Sequence, residues 1–70
     1  MTEKATMQAL AALVPQGSRV LDLGCGDGTL LSLLIEQRGA VGYGIELEDE
    51  AVLAAVKRGI NVIQSDLEAG

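Results

Sequence analysis

The sequence predicts an α/β fold, half of a doubly wound parallel sheet with three strands in the order 3-2-1 and three helices. Three observations carry that prediction. Helix-period and strand-period segments alternate along the 70 residues. Each connection between successive strands is long enough to hold a helix, as parallel pairing requires. The first strand runs directly into a glycine-rich loop, Gly24-Cys25-Gly26-Asp27-Gly28, that opens the next helix. Right-handed crossovers stepping in one direction then give a Rossmann-like half-sheet.

The first stretch, Thr2 to Val14, reads as an amphipathic helix, with Met7, Leu10, Ala11 and Val14 at i, i+3, i+4 and i+7. Pro15 biases Val14 away from helical dihedrals, so the helix is expected to end near Leu13. Pro15-Gln16-Gly17-Ser18 is a turn by composition, and Arg19 to Leu23 is the first strand. Thr29 to Gln37 holds Leu30, Leu31, Leu33, Leu34 and Ile35, with a polar stripe of only Thr29, Ser32 and Glu36, which predicts a mostly enclosed helix. Gly39 stops it. Ala40 to Glu46 is the second strand, with Val41, Tyr43 and Ile45 on one face and Gly42 and Gly44 on the other. Something is expected to pack close to the glycine face, the second helix first of all, and Tyr43 is expected in the core. Glu48-Asp49-Glu50 and Lys57-Arg58 bracket the third helix with charges matched to its dipole, and Val52, Ala55 and Val56 are in helical register. Gly59 ends it, and Ile60 to Gln64 is the third strand. With no internal repeat, linker or low-complexity tract, residues 1–70 are expected to form one unit.

Composition narrows the function. Five basic against ten acidic side chains give a net charge of −5, the wrong sign for a groove that must displace counterions from nucleic-acid phosphates. A ligand met electrostatically should be cationic. The run Leu30-Leu31 and Leu33 to Ile35 is interrupted by Ser32 and is too short to span a bilayer. Met1-Thr2-Glu3-Lys4 has neither a basic leader nor an apolar core, so a cytoplasmic protein without a targeting segment is expected. Cys25 is the one cysteine and histidine is absent, which excludes an internal disulfide and the usual zinc-ligand sets. A chain this short buries roughly 60% of its unfolded surface and stands near thermodynamic break-even, so association or further chain is expected to support it.

The loop Asp22-Leu23-Gly24-Cys25-Gly26-Asp27-Gly28-Thr29 is the informative segment. A strand delivers three alternating glycines into a helix N-terminus, where bare backbone lets a ligand approach. A phosphate-binding loop would need Lys-Ser/Thr after its last glycine, and the chain's lysines are Lys4 and Lys57. A dinucleotide fingerprint would need glycine at position 29, where Thr29 stands, and Asp27 would repel a pyrophosphate. An NAD-binding reading survives only if the loop tolerates that threonine. Cys25 has no histidine to activate it and reads as a small loop residue lining the pocket. Asp27 suits both a helix cap and a ligand contact. No residue stands out as a general base.

The run Val20-Leu21-Asp22-Leu23-Gly24-Cys25-Gly26-Asp27-Gly28 resembles the D-x-G-x-G-x-G motif of class I S-adenosylmethionine-dependent methyltransferases. The resemblance implies S-adenosylmethionine or S-adenosylhomocysteine as cofactor, bound along Gly24, Cys25, Gly26 and Gly28. Asp22 and Asp27 would favour its cationic groups. Glu46, ending the second strand, would accept the ribose hydroxyls. Asp66 after the third strand would accept from the adenine amino group, with Leu47 and Leu67 against the ring. No metal site and no catalytic residue is implied.

Gly17 to Leu34, Gly42 to Glu46 and Arg58 to Leu67 together resemble more narrowly the methionine biosynthesis protein MetW family. That resemblance implies a methyltransferase-like fold and a role in methionine biosynthesis beside homoserine O-acetyltransferase, with the alternative of a non-catalytic partner whose nucleotide site is vestigial or regulatory. Members of that family continue through further strands that complete the substrate side, so residues 1–70 are expected to be an N-terminal cofactor-binding half. The second and third helices are expected on one face of the sheet, leaving the opposite face and the first strand's edge bare, and a homodimer or domain swap is expected to cover them.

Overall fold

The structure, a computed structural model, describes residues 2–68. Its elements are α1 (Glu3–Ala12), β1 (Arg19–Leu23), α2 (Thr29–Arg38), β2 (Val41–Glu46), α3 (Asp49–Lys57) and β3 (Asn61–Gln64). Local chemistry accounts for the boundaries. The Thr2 hydroxyl accepts from the Ala5 N–H at 3.0 Å and caps α1. Gly39 sits at φ 60° and turns the chain out of α2.

The strands are parallel, in the order β1-β2-β3 with β2 central. This is the expected 3-2-1 sheet seen from its other edge. Leu21 pairs with Tyr43 and Tyr43 with Asn61, while Asp22 pairs with Gly44 and Gly44 with Val62, so each row of side chains lies on one face.

All three helices contribute to one layer. Ala11 of α1, Leu34 of α2 and Ala40 form one buried cluster with Val14, Val20, Leu30 and Leu33 around it. Leu31, Ala55 and Ile60 form a second, packed on Val20 and Val62. The sheet can approach α2 this closely because of its glycine face: a Cβ on Gly42 would collide with Leu31, whose side chain is fully buried, and one on Gly44 would collide with Cys25. The expected close approach to the glycines is therefore present, shared between the second helix and the loop. The C-terminus of α2 is tied to the turn before β1, since Arg38 Nε donates to the Val14 carbonyl at 2.8 Å and the Gly17 N–H donates to the Arg38 carbonyl at 2.7 Å.

The opposite sheet face is bare. Leu21, Leu23, Val41, Tyr43 and Ile63 are each half or more exposed there. Tyr43, expected in the core, is instead on this open face, because strand alternation fixes its side but the described residues supply no second layer. The helix α2 is also less enclosed than its composition predicts: Leu31 and Leu34 are buried, while Ile35 is partly exposed on the outer side of the helix layer. No helix among the described residues is long and apolar enough to cross a membrane.

Candidate functional site

Parallel pairing brings the C-terminal ends of all three strands to one edge of the sheet. There the loop after β1, the turn after β2 and the turn after β3 border an open cleft of about 340 Å³ lined by Gly24, Ile45, Glu46, Leu47, Asp66 and Leu67, together with Ser65 and Glu68. Five of the residues singled out in the sequence thus meet in one place.

The loop is held from within. Gly24 and Cys25 both donate their N–H to the Ile45 carbonyl, at 2.8 and 3.1 Å, and the Gly28 N–H donates to the Cys25 carbonyl at 3.1 Å. The Gly26 N–H donates to Glu46 Oε1 at 2.8 Å, and the Thr29 N–H to Asp27 Oδ1 at 3.0 Å. These donors are spent inside the protein, where a phosphate cradle would aim them outward. A Cβ on Gly24 or Gly26 would meet nothing within 4 Å, so their outer side has room for a ligand. Gly28 differs, because a Cβ there would lie 2.9 Å from Ile60 Cγ1. It serves packing between the loop and the start of β3.

Glu46 is the hub. Besides the Gly26 contact, its Oε2 accepts from the N–H groups of Leu47 and Glu48, both at 3.0 Å. One carboxylate so fastens the loop after β1 to the turn after β2. The Glu48 N–H first, then those of Gly26 and Leu47, hold its pKa below the ordinary glutamate value.

Asp22 is half-buried on the helix-facing side of β1, below the loop. Burial lifts its pKa above the ordinary aspartate value. Its carboxylate makes no hydrogen bond among the described residues. Asp27 turns the other way, accepting from both the hydroxyl and the N–H of Thr29, and these two bonds in that order depress its pKa. It thereby satisfies the first N–H of α2, whose N-cap position is Gly28, and Arg58 Nη2 stands 3.4 Å from its Oδ2. That ion pair is exposed on both sides and contributes about 0–1 kcal/mol.

Cys25, expected to line the pocket, has its thiol buried against Gly44. Burial, followed by the charges of Asp22 and Glu46, pushes that thiol up and leaves it a poor nucleophile. Asp66 Oδ1 accepts from the Glu68 N–H at 2.9 Å and shapes the last turn. Among the described residues, no group of three or more acidic, cysteine or histidine side chains is placed to hold a metal. Sequence reasoning missed Gln64, whose Nε2 donates to the Leu47 carbonyl at 3.0 Å and to Asp49 Oδ1. Its one signal was a polar residue ending β3 in register with Glu46.

Comparisons with known proteins bear on the family and the fold. The chain is 38% identical to a bifunctional methionine biosynthesis protein MetXA/MetW from Rhodopirellula baltica, over 90% of this chain and 11% of that protein. It is 44% identical to a release factor glutamine methyltransferase from Rhodospirillum rubrum, over 80% of this chain and 18% of that protein. Among solved structures, a SAM-dependent methyltransferase from Thiobacillus denitrificans, in complex with S-adenosyl-L-homocysteine, superposes with a TM-score of 0.72 at 32% identity, covering 94% of this chain and 30% of that one. A TehB-like SAM-dependent methyltransferase from Corynebacterium glutamicum shares the fold with a TM-score of 0.78 at 24% identity, covering 91% of this chain and 35% of that one. The chain therefore spans between about a tenth and a third of the length of these proteins. The family model of methionine biosynthesis protein MetW matches residues 4–70, and the chain belongs to that family.

Proposed function

We propose that the chain binds S-adenosylmethionine or S-adenosylhomocysteine in the cleft at the strand ends, as the cofactor-binding half of a methyltransferase-fold protein. The observation that carries this reading is the Glu46 carboxylate, standing between an open glycine backbone and an apolar wall. Glu46 takes the ribose hydroxyls, Leu47 and Leu67 flank the adenine, Asp66 accepts from its amino group, and Gly24 and Gly26 leave space for the chain of the ligand. Asp22 supplies negative charge to the ligand's cationic groups. Bound S-adenosylmethionine would bring an electrophilic methyl group on its sulfonium. Calorimetric titration tests the reading: heat is expected with S-adenosylmethionine and S-adenosylhomocysteine, and tighter binding of NAD would overturn it in favour of a dinucleotide site.

Asp22 gives this binding a pH signature. Its raised pKa in the free protein means that a cationic ligand binds the ionised form and displaces a proton near that value. Affinity is expected to fall as pH drops through a midpoint above the ordinary aspartate value of about 3.9. Asp22→Asn is expected to weaken binding at neutral pH and to remove that midpoint, as followed by titrations across pH.

The relative that unites MetXA and MetW in one chain supports a place in methionine biosynthesis, with homoserine O-acetyltransferase as the proposed partner, and the cytoplasm is the proposed location. A non-catalytic, supporting role beside that enzyme is the second reading. Co-purification unaffected by Gly26→Asp would favour it. For the bare sheet face we propose a second copy of the chain, by dimerisation or domain swap. Light scattering is expected to show a mass that rises with concentration, and a monomer at all concentrations would contradict the dimer.

A further inference from the structure

We propose that Gln64 is the positioning residue of the adenine wall, a role that rests on the cofactor reading above. Gln64 ends β3 in register with Glu46 and carries two amide protons. Both are used on the neighbouring turn, one on the Leu47 carbonyl at 3.0 Å and one on Asp49 Oδ1. The amide orientation is chemically determined, since its oxygen in that place would face a carbonyl and a carboxylate with no proton between them.

The consequence falls on Leu47. Its N–H is held by Glu46 Oε2 at 3.0 Å and its carbonyl by Gln64 Nε2, so both polar groups of its backbone are clamped from opposite sides. The Leu47 side chain is half-exposed in the cleft together with Leu67, on the wall proposed for the adenine ring. An exposed leucine on a free turn would lose much of its contact to rotation and turn motion; one clamped at both ends presents a fixed apolar surface. Gln64 also neutralises a local problem, because Glu48, Asp49 and Glu50 crowd that turn, and its amide gives Asp49 a donor. Glu46 fastens the turn to the loop, and Gln64 fastens it to the third strand.

Gln64 is solvent-exposed at the end of an edge strand, so its replacement tests the wall more than the fold. The experiment compares wild type, Gln64→Met and Gln64→Glu, each checked by circular dichroism, in titrations with S-adenosylhomocysteine and with adenosine. Gln64→Met is expected to weaken both ligands by the same factor, on the order of tenfold, and to speed amide exchange at Leu47 and Glu48 in the free protein while Val20 is unchanged. Gln64→Glu is expected to bind weakly at neutral pH and to regain affinity, relative to wild type at the same pH, on acidification, because only a protonated carboxyl can donate to the Leu47 carbonyl. Wild type that binds neither ligand overturns the cofactor reading and this role with it. Wild type that binds, with Gln64→Met binding equally tightly or losing S-adenosylhomocysteine but not adenosine, overturns the role of Gln64 alone. Failure of both variants to fold would make the residue structural and also overturn it.

Discussion

Gly28→Ala is expected to destabilise the fold by about 2–5 kcal/mol, the largest effect of any single added methyl in the glycine loop. Two costs add. Gly28 has φ 82°, where a side chain costs about 1–2 kcal/mol. The new Cβ would also stand 2.9 Å from Ile60 Cγ1 and 3.5 Å from Ala55 Cβ. Ile60 and Ala55 are both buried, and Cγ1 is held close to the backbone of a β-branched residue, so it cannot swing aside. Overpacking of this kind costs about 1–3 kcal/mol. A chain this short is expected to stand near thermodynamic break-even, so a loss of this size would remove much of the stability it has. Gly26→Ala is the control, because its φ of 59° imposes the same kind of strain while its Cβ meets nothing within 4 Å. Urea unfolding is expected to place Gly26→Ala well above Gly28→Ala in midpoint at equal slope. Equal losses would mean that Gly28 does not pack on Ile60.

Glu46→Ala is expected to lower affinity for S-adenosylhomocysteine on the order of 100-fold or more, read by calorimetry. The substitution removes the acceptor proposed for two ribose hydroxyls and also frees the N–H groups of Gly26, Leu47 and Glu48, so both walls of the cleft loosen together. A carboxylate has about four lone-pair sites and three are in use. Holding both hydroxyls therefore requires Glu46 to release one backbone N–H, and ligand binding should alter the loop or the turn even far from the ribose. Glu46→Gln is not a benign substitute: its amide nitrogen would face either the Gly26 N–H or the pair from Leu47 and Glu48. Affinity within twofold of wild type in Glu46→Ala would remove Glu46 from the site.

Much of the fold was readable in the residues because local and tertiary signals agree there. Pro15, Gly39 and Gly59 punctuate the elements, and β2 sorts Gly42 and Gly44 onto the side where Leu31 and Cys25 approach. The loop and Glu46 were readable because a strand end followed by alternating glycines has few other uses. Features decided by which way a side chain turns were not. Cys25 and Asp27 flank Gly26 in sequence, yet one is buried against Gly44 and the other accepts from the first N–H of α2 and faces Arg58. Gly28 resembles its two companions in sequence, and only Ala55 of α3 and Ile60 before β3, some thirty residues on, distinguish it. Tyr43 reads as a core residue but stands on a face that the described residues leave uncovered. Gln64 acts across two turns, and nothing in a four-residue strand announces that.

A larger groove, about 770 Å³, lies between the start of α1 and the polar stripe of α2, bordered by Lys4, Asp27, Thr29, Ser32, Glu36 and Arg58. It sits on the helix layer, its lining does not include Glu46, and so it offers a direct contrast to the cleft at the strand ends. Amide chemical-shift mapping on addition of S-adenosylhomocysteine is the decisive measurement. Saturable shifts are expected at Gly24, Gly26, Glu46, Leu47, Asp66 and Leu67, with Lys4, Ser32 and Glu36 unmoved. Shifts confined to Lys4, Ser32 and Glu36, or none at all on folded protein, would contradict it.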